Sequence, residues 1–201
     1  MKKLLGLLLA AALVLSLAAC GGKGGEDEFV LTRGQWDEYT YKNSSMGFEF
    51  TLNEEWTILD DESFVSTFLP DVDPEEFSRW TNEDFKKSRV IPCAFARRND
   101  NFENVSLVIE NLKLSGGTKS TPEEYLDIAA ESLPEADYVI TRPRAVKLGE
   151  ADGAYIVAAT QINGMDVNQY MVATKADNYM MVITFTTVDE TSVDEFLDMF
   201  S

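Results

Sequence analysis

The stretch AYIVAATQINGMDVNQYMVATKADNYMMVITFTTV, residues 154–188, decides the fold. It is rich in β-branched and aromatic residues, which favour strands. The pairs Asn163-Gly164 and Asp177-Asn178 interrupt it, and pairs of this kind favour the tight turns of hairpins. Together with the residues just before it, the stretch predicts a meander of antiparallel strands over 138–146, 154–162, 167–175 and 179–188.

The residues before this meander predict further strands with helices set between them. The predicted strands cover 39–42, 47–52, 56–59, 90–97 and 104–112. Asp73-Pro74 and Thr121-Pro122 each have the marks of a helix start, namely a capping side chain followed by proline in the first turn. We therefore expect helix within 60–88, after residue 121 and over 191–200, and a Gly/Ser loop over 112–120. This order indicates an α+β fold, an antiparallel β-sheet flanked by helices.

The amino terminus predicts export. Lys2 and Lys3 precede an apolar run over 4–17, which is too short to favour a stable membrane span. The run ends in Leu17-Ala18-Ala19-Cys20, which resembles the lipobox of bacterial lipoproteins, with a branched residue and two small residues before the cysteine. The resemblance implies diacylglyceryl transfer to the Cys20 thiol and cleavage just before that residue. The alternative is an ordinary secretory signal in which the cysteine is incidental.

The chain is then expected to divide into three parts. Residues 1–19 are the signal peptide, 20–28 are the lipidated cysteine and a Gly-rich flexible tether, and 29–201 are a single globular domain. Fully extended, the eight residues after Cys20 reach about 25–30 Å. Two acyl chains give stable anchoring. The expected location is thus the extracytoplasmic face of a cell membrane, in a Gram-positive host as the acidic Gly-rich tether indicates.

The chain is strongly acidic. There are 35 acidic residues against 17 basic ones, and the formal net charge is −18. Such a surface repels the phosphate backbone of nucleic acids and also anionic lipid headgroups. Nucleic acid is therefore excluded as a partner, and the domain is not expected to lie flat on the membrane. Cations, basic peptides or a basic patch on an envelope protein fit this charge better.

The residue types that are missing argue against catalysis. The chain has no histidine, which removes the commonest general base and all imidazole metal ligands. With Cys20 acylated, Cys93 is the one remaining thiol, so no internal disulfide, thiolate zinc site or CxxC redox pair can form. Cys93 itself is interpreted as a small buried residue, with a reactive thiol as the alternative. We predict no catalytic residue and no cofactor.

Two acidic stretches, 60–62 and 71–76, offer the hard oxygen ligands that calcium prefers. Neither follows a calcium-loop pattern, because the glycine and the distant bidentate glutamate are absent. A solvated acidic face is the alternative, with Asp73 acting simply as a helix cap. The candidate metal ligands are Asp71, Asp73, Glu75 and Glu76.

Aromatic side chains provide a second candidate surface. These side chains would line a groove that binds a peptide or a sugar, and the alternative is that they pack in the core. Among these residues Trp36 is the best candidate for exposure, because it lies in a polar stretch near the tether. The candidates are Trp36, Tyr39, Trp56, Trp80 and Phe85.

The order of several short segments resembles the PsbP-like fold, which an extrinsic photosystem protein shares with many bacterial lipoproteins. The segments are 33–36 (RGQW), 41–43 (YKN), 47–50 (GFEF), Trp56, 104–107 (NVSL) with Glu110, 124–126 (EYL), 146–149 (VKLG) and the closing hairpins. Relatives often have a proline shortly before the tryptophan, where this chain has residues 53–55 (NEE). The resemblance implies an α/β/α sandwich and an accessory, non-enzymatic role, and it transfers no binding residue.

Three functional hypotheses follow. The first is a membrane-anchored, non-enzymatic binding or accessory module, held through Cys20 and contacting an envelope protein or a basic peptide. The second is a calcium-binding lipoprotein that uses residues 71–76. The third is an extracellular enzyme working through two close carboxylates in a cleft, whose pKa values would have to be pushed apart.

Overall fold

The computed structural model describes residues 29–98, 103–134, 138–188 and 193–200; Cys20 and the rest of 1–28 lie outside them. The described strands are β1 (Gln35–Asp37), β2 (Thr40–Asn43), β3 (Phe48–Thr51), β4 (Trp56–Ile58), β5 (Val90–Arg98), β6 (Asn104–Asn111), β7 (Val139–Ile140), β8 (Arg144–Leu148), β9 (Ala151–Ile162), β10 (Met165–Ala176) and β11 (Tyr179–Thr187). The described helices are α1 (Asp61–Phe68), α2 (Pro74–Ser78), α3 (Asn82–Lys87), α4 (Leu112–Ser115), α5 (Pro122–Glu131) and α6 (Val193–Leu197).

The strands form two antiparallel sheets. The small sheet has the order β1-β2-β3, and the large sheet has the order β4-β5-β6-β11-β10-β9-β7, with β8 also paired to β9. The predicted α+β class, an antiparallel sheet flanked by helices, is confirmed. Among the described helices, none is long and apolar enough to cross a membrane.

The predicted meander forms the middle of the large sheet. Hairpin β9–β10 turns at Asn163 and Gly164, which have φ of +53° and +81°, so both adopt the left-handed conformation that a two-residue hairpin turn needs. The next hairpin, β10–β11, turns at 177–178 and stays in register along the whole of β11. The two turn pairs recognised in the sequence therefore fix the register of the three longest neighbouring strands.

The alternation of side chains along these strands fills two different cores. On β10, Tyr170 and Val172 face a core shared with the small sheet and α6, whereas Met171 and Ala173 face a core shared with α5. Because neighbouring strand residues point to opposite faces, one strand serves both layers. The large sheet thus lies between α5 on one face and the small sheet with α6 on the other. A third cluster joins α1 and α2 to Phe95 of β5.

Three local predictions need correction. The single strand predicted over 138–146 is two strands, β7 and β8, because residues 141–143 leave the ladder and the Thr141 hydroxyl accepts the hydrogen bond from the backbone N–H of Val157. The loop predicted over 112–120 begins as helix α4. The last helix ends at Leu197 and not at the predicted residue 200, and its predicted start at Thr191 lies outside the described residues.

Candidate functional site

The acidic stretch 71–76 lies on the surface at the start of α2. The Asp73 carboxylate oxygen Oδ1 accepts hydrogen bonds from the backbone N–H groups of Glu75 at 2.8 Å and Glu76 at 3.2 Å, so it caps the helix. Glu75 forms an exposed ion pair with Arg79 at 3.0 Å. Asp71 and Glu76 are also exposed. Within the described residues no group of three acidic or cysteine side chains is arranged to hold a metal ion.

The other acidic stretch, 60–62, is also committed to structure. Asp60 caps α1 by accepting from the backbone N–H of Ser63, and this hydrogen bond lowers the pKa of its carboxyl. The Asp61 carboxylate accepts three hydrogen bonds from the Arg33 guanidinium, at 3.0, 3.2 and 3.3 Å. That guanidinium also lies over the ring of Phe77, 4.1 Å from its centre. Arg33 thus attaches the segment before β1 to α1 and α2.

A buried carboxylate that the sequence interpretation missed lies between the large sheet and α5. Glu110 of β6 is 2% exposed, and its Oε2 accepts a hydrogen bond of 2.7 Å from the Tyr125 hydroxyl. Its Oε1 lies 3.8 Å from Nε of Arg89, which is partly exposed. Burial, followed by the negative charge of Glu110, raises the pKa of the Tyr125 hydroxyl, which therefore stays protonated and keeps donating.

A second buried carboxylate that the sequence interpretation missed lies at the opposite end of β6, directly before its first residue. Glu103 is 1% exposed, and its Oε1 accepts a hydrogen bond of 2.7 Å from the Thr187 hydroxyl. Its Oε2 lies 3.5 Å from the Arg98 guanidinium, which also contacts Glu55 at 2.6 Å. Glu103 and Glu110 are at opposite ends of one strand, so they do not form the close carboxylate pair that the enzyme hypothesis needs. One signal was present in the sequence, since Glu110 falls on the α5-facing side of an alternating strand.

Cys93 is confirmed as a buried free thiol, with 8% of the residue exposed. Burial raises its pKa from an ordinary value of 9.0 to about 12, so the thiolate needed for nucleophilic or redox chemistry is suppressed at neutral pH. The side chain instead donates to the backbone carbonyl of Ile91 at 3.4 Å.

The aromatic candidates separate into core and partly exposed residues. Trp56 and Phe85 are buried in the main core, and Tyr39 is 37% exposed. Trp80 is half-buried between the rings of Phe77 and Phe85. Trp36 is also half-buried, and it packs edge-on against Tyr41 and Phe50. The prediction that Trp36 is the most exposed of the five was wrong, because its ring packs on the small sheet and Tyr39 is the exposed member.

The segment that leads in from the predicted tether is bonded into the domain. The ring of Phe29 stacks on Tyr179 with 5.8 Å between ring centres. Leu31 is 2% exposed, and its backbone N–H donates to the Asn82 side chain at the start of α3. Residue 29 therefore meets the domain where β11 begins.

Several elements come together at that same place, which we call the proximal end: residues 29–31, α3, α4, the loop 116–120 and the turn 177–178. The backbone N–H of Leu112 in α4 donates to the carbonyl of Asn178 at 2.8 Å. The Asn111 amide donates to the carbonyl of Lys86 in α3 at 3.2 Å. The Lys175 ammonium donates to the loop carbonyls of Thr118 and Ser120, at 2.7 and 2.9 Å.

The proximal end carries exposed lysines and apolar side chains beside the acids of α3 and of the turn 177–178. Lys87, Lys113 and Lys119 are exposed there. Val30 and Leu114 are 62% and 50% exposed. The sequence interpretation missed this grouping because the residues come from segments far apart along the chain.

Comparison with known proteins adds little to this description. No family model matches the chain, and no curated protein sequence matches it. One solved structure, from Bacteroides thetaiotaomicron VPI-5482, aligns with a TM-score of 0.44 and 13% sequence identity over 84% of this chain and 47% of that one. The chain thus spans about half the length of that protein.

Proposed function

We propose that this chain is an exported lipoprotein, anchored through Cys20, whose globular domain is a non-enzymatic binding or accessory module outside the membrane. The observation that carries the proposal is the sequence Leu17-Ala18-Ala19-Cys20 at the point where the apolar run stops. The tight packing of Phe29 and Leu31 supports it, because the domain then begins directly after a tether of the predicted length.

The environment of the ionisable groups favours binding over catalysis. Glu110 and Glu103 are each held by a hydroxyl and an arginine inside the fold, and Cys93 is buried with a raised pKa. Asp60 and Asp73 cap helices. Each of these groups has a structural role in the described part of the chain, as a helix cap, a buried hydrogen-bond partner or a core side chain.

The anchor is tested by expressing the full chain and its Cys20→Ser variant in a bacterial host and feeding a labelled fatty acid. The wild-type chain should incorporate label, fractionate with membranes and carry the acyl mass on its amino-terminal cysteine. The variant should do none of these. Label-free wild-type protein in the medium would refute the anchor.

The binding role is tested by crosslinking the tagged, lipidated chain on living cells and identifying the captured proteins by mass spectrometry. We expect one dominant envelope protein, whose capture is lost when residues 21–28 are shortened. A chain with these residues replaced by a Gly/Ser segment of equal length is the matched control and should keep the capture. Capture that is unspecific in both chains would contradict a protein-binding role.

A further inference from the structure

We propose that residues 29–33, which we call the strap, form a latch that opens as one unit while the rest of the domain stays folded. Opening lengthens the connection between the anchor and the domain and uncovers the surface beneath Arg33. The opening is a property of the fold, and only its consequence for the reach of the domain rests on the proposed lipid anchor.

The strap is held by side chains and not by a strand ladder or a helix. It lies before the first strand, β1. The backbone N–H of Leu31 donates to Oδ1 of Asn82 at 3.0 Å, and that of Thr32 donates to the Ser45 hydroxyl at 3.1 Å. The carbonyl of Thr32 accepts a hydrogen bond of 3.1 Å from the Asn43 amide. Because these bonds belong to no ladder, the strap can leave without separating a pair of strands.

Three side chains of the strap hold it at separate places. The ring of Phe29 stacks on Tyr179, where β11 begins. Leu31, in the middle, is 2% exposed and lies in the main core. Arg33 forms an ion pair of 3.0 Å with Asp61 of α1. The three contacts follow one another along a short segment, so loss of the central one weakens the support of the other two, and the strap opens as a unit.

Gly34 is the hinge between the strap and β1. Its φ is +75°, in the left-handed region that favours glycine. A Cβ at this position would lie 2.5 Å from the Tyr41 hydroxyl and 2.7 Å from the carbonyl oxygen of Lys42. The Tyr41 hydroxyl in turn donates a hydrogen bond to the carbonyl of Arg33. The closed strap therefore depends on glycine at 34, and a larger residue there favours the open state.

Cys93 of β5 lies beneath the Arg33 end of the strap. Burial raises the pKa of its thiol to about 12, and the Arg33 charge and a hydrogen bond with the Tyr41 hydroxyl act against this rise, so both groups lie near the thiol. Leu31, Tyr41 and Cys93 belong to the same buried cluster. Opening of the strap withdraws Leu31 and Arg33 from this place, so Cys93 reports the open state by becoming reactive.

The open strap changes the reach of an anchored domain. The chain from Cys20 to Phe29 spans about 30 Å at most when fully extended. Release of the strap adds about 17 Å. Under the proposed anchor the domain thus has a short and a long reach above the membrane. An envelope partner that stands beyond the short reach shifts the balance towards the open strap, because it binds the domain only in that state.

The test measures alkylation of Cys93 by iodoacetamide at pH 8 in the mature chain, residues 20–201, carrying Cys20→Ser. Cys93 is then the one thiol, and the chain cannot be acylated, so the result does not depend on the anchor. We expect slow alkylation at a rate that stays constant up to about 1 M urea, because local opening exposes little surface. Leu31→Ala should increase the rate about a hundredfold and Asn82→Ala about fivefold.

Two matched controls separate the strap from the rest of the domain. Tyr125→Phe weakens the core under α5 and should leave the alkylation rate unchanged, because that core stays folded when the strap opens. Gly34→Ala should increase the rate about tenfold or more. Gly47→Ala should change it little, since Gly47 has a similar φ of +74° but no described atom lies within 4 Å of where its Cβ would be.

An alkylation rate that follows the global unfolding transition in urea would overturn the inference. The same holds for a rate that Leu31→Ala leaves unchanged, or that Tyr125→Phe increases as much as Leu31→Ala does. The anchor is judged separately, by the fatty-acid label on Cys20 of the full chain. Absence of that label, with the expected alkylation pattern, would remove the consequence for reach and leave the opening of the strap established.

Discussion

Changing Tyr125 to Phe is the most direct way to test the buried pair at the centre of the fold. The change removes one oxygen and leaves the ring in place in the core that α5 shares with the sheet. Glu110 then loses the hydrogen bond of 2.7 Å to its Oε2, and at 2% exposure water cannot replace it. Its remaining partner is Arg89, with 3.8 Å between the charged atoms. The variant therefore leaves a buried carboxylate under-bonded.

The expected cost follows from the charge of the acceptor. A hydrogen bond to a charged group contributes about 1.5–3 kcal/mol, so Tyr125→Phe should lower the free energy of unfolding by about 2 kcal/mol. For a domain of this size that is a fall in Tm of about 4–8 °C. Urea unfolding at pH 7, with the slope m unchanged, measures the difference. The control Tyr39→Phe changes a partly exposed tyrosine and should stay within about 0.5 kcal/mol.

A double-mutant cycle decides whether the carboxylate is the cause. In a Glu110→Leu background, Tyr125→Phe should lower the free energy of unfolding by less than about 0.5 kcal/mol, because no buried carboxylate is present to lose a hydrogen bond. A cost of about 2 kcal/mol in both backgrounds would show that the hydroxyl acts elsewhere and would refute the reasoning. A Tyr125→Phe domain that is as stable as the wild type would also refute the reasoning.

The contribution of Tyr125 to the free energy of unfolding depends on pH, and the direction follows from its raised pKa. Burial, followed by the charge of Glu110, raises the pKa of Tyr125 above its ordinary value of 10.0. The folded state therefore holds this proton more tightly than the unfolded state, so the contribution is complete below about pH 10 and is lost as the pH rises further. The stability difference between wild type and Tyr125→Phe should accordingly narrow above pH 10.

Three further predictions follow from features of the fold. Asp73→Ala removes the cap of α2 and should lower the free energy of unfolding by about 1 kcal/mol, as measured by thermal unfolding, whereas the control Asp71→Ala should change it little. Millimolar calcium should leave the Tm of the wild type and of both variants unchanged. A rise in wild-type Tm that Asp73→Ala abolishes would restore the calcium hypothesis. Gly153→Ala places a methyl group 2.7 Å from the carbonyl oxygen of Ala173, so circular dichroism should show a clearly lower Tm, and an unchanged Tm would contradict the β9–β10 packing. Cys93, with a pKa of about 12, should resist iodoacetamide at pH 8 in the folded domain and react in urea, as read from the mass of its peptide; rapid labelling without urea would mean that the site opens.

The parts of the fold that local chemistry dictates were predictable. The left-handed turn at Asn163 and Gly164, the cap at Asp73 and the capping box between Thr121 and Glu124 need only a few neighbouring residues, and all are present. Helix α4 escaped prediction, although its stop is also local: Asn111 caps its start, and Gly116 ends it in a left-handed conformation at φ +82°.

Pairings between distant segments were not predictable. Strand β4 follows the small sheet along the chain, yet Trp56 pairs with Arg98 of the large sheet. A period of two gives the face of a strand but not its partner. The same limit applies to the candidate site, since the hydrogen bond between Tyr125 and Glu110 and the stacking of Phe29 on Tyr179 arise only when distant segments come together.

The fixed position of Phe29 has a further consequence for affinity. Under the proposed lipid anchor the domain moves only a few nanometres from the bilayer and samples a small volume above it, so its effective concentration towards an envelope partner is on the order of millimolar to tens of millimolar. A contact with a dissociation constant of a few millimolar or less is then formed for much of the time, although the same domain without its lipid would not bind that partner at micromolar concentration. A weak contact with an envelope protein is thus sufficient for the proposed binding role.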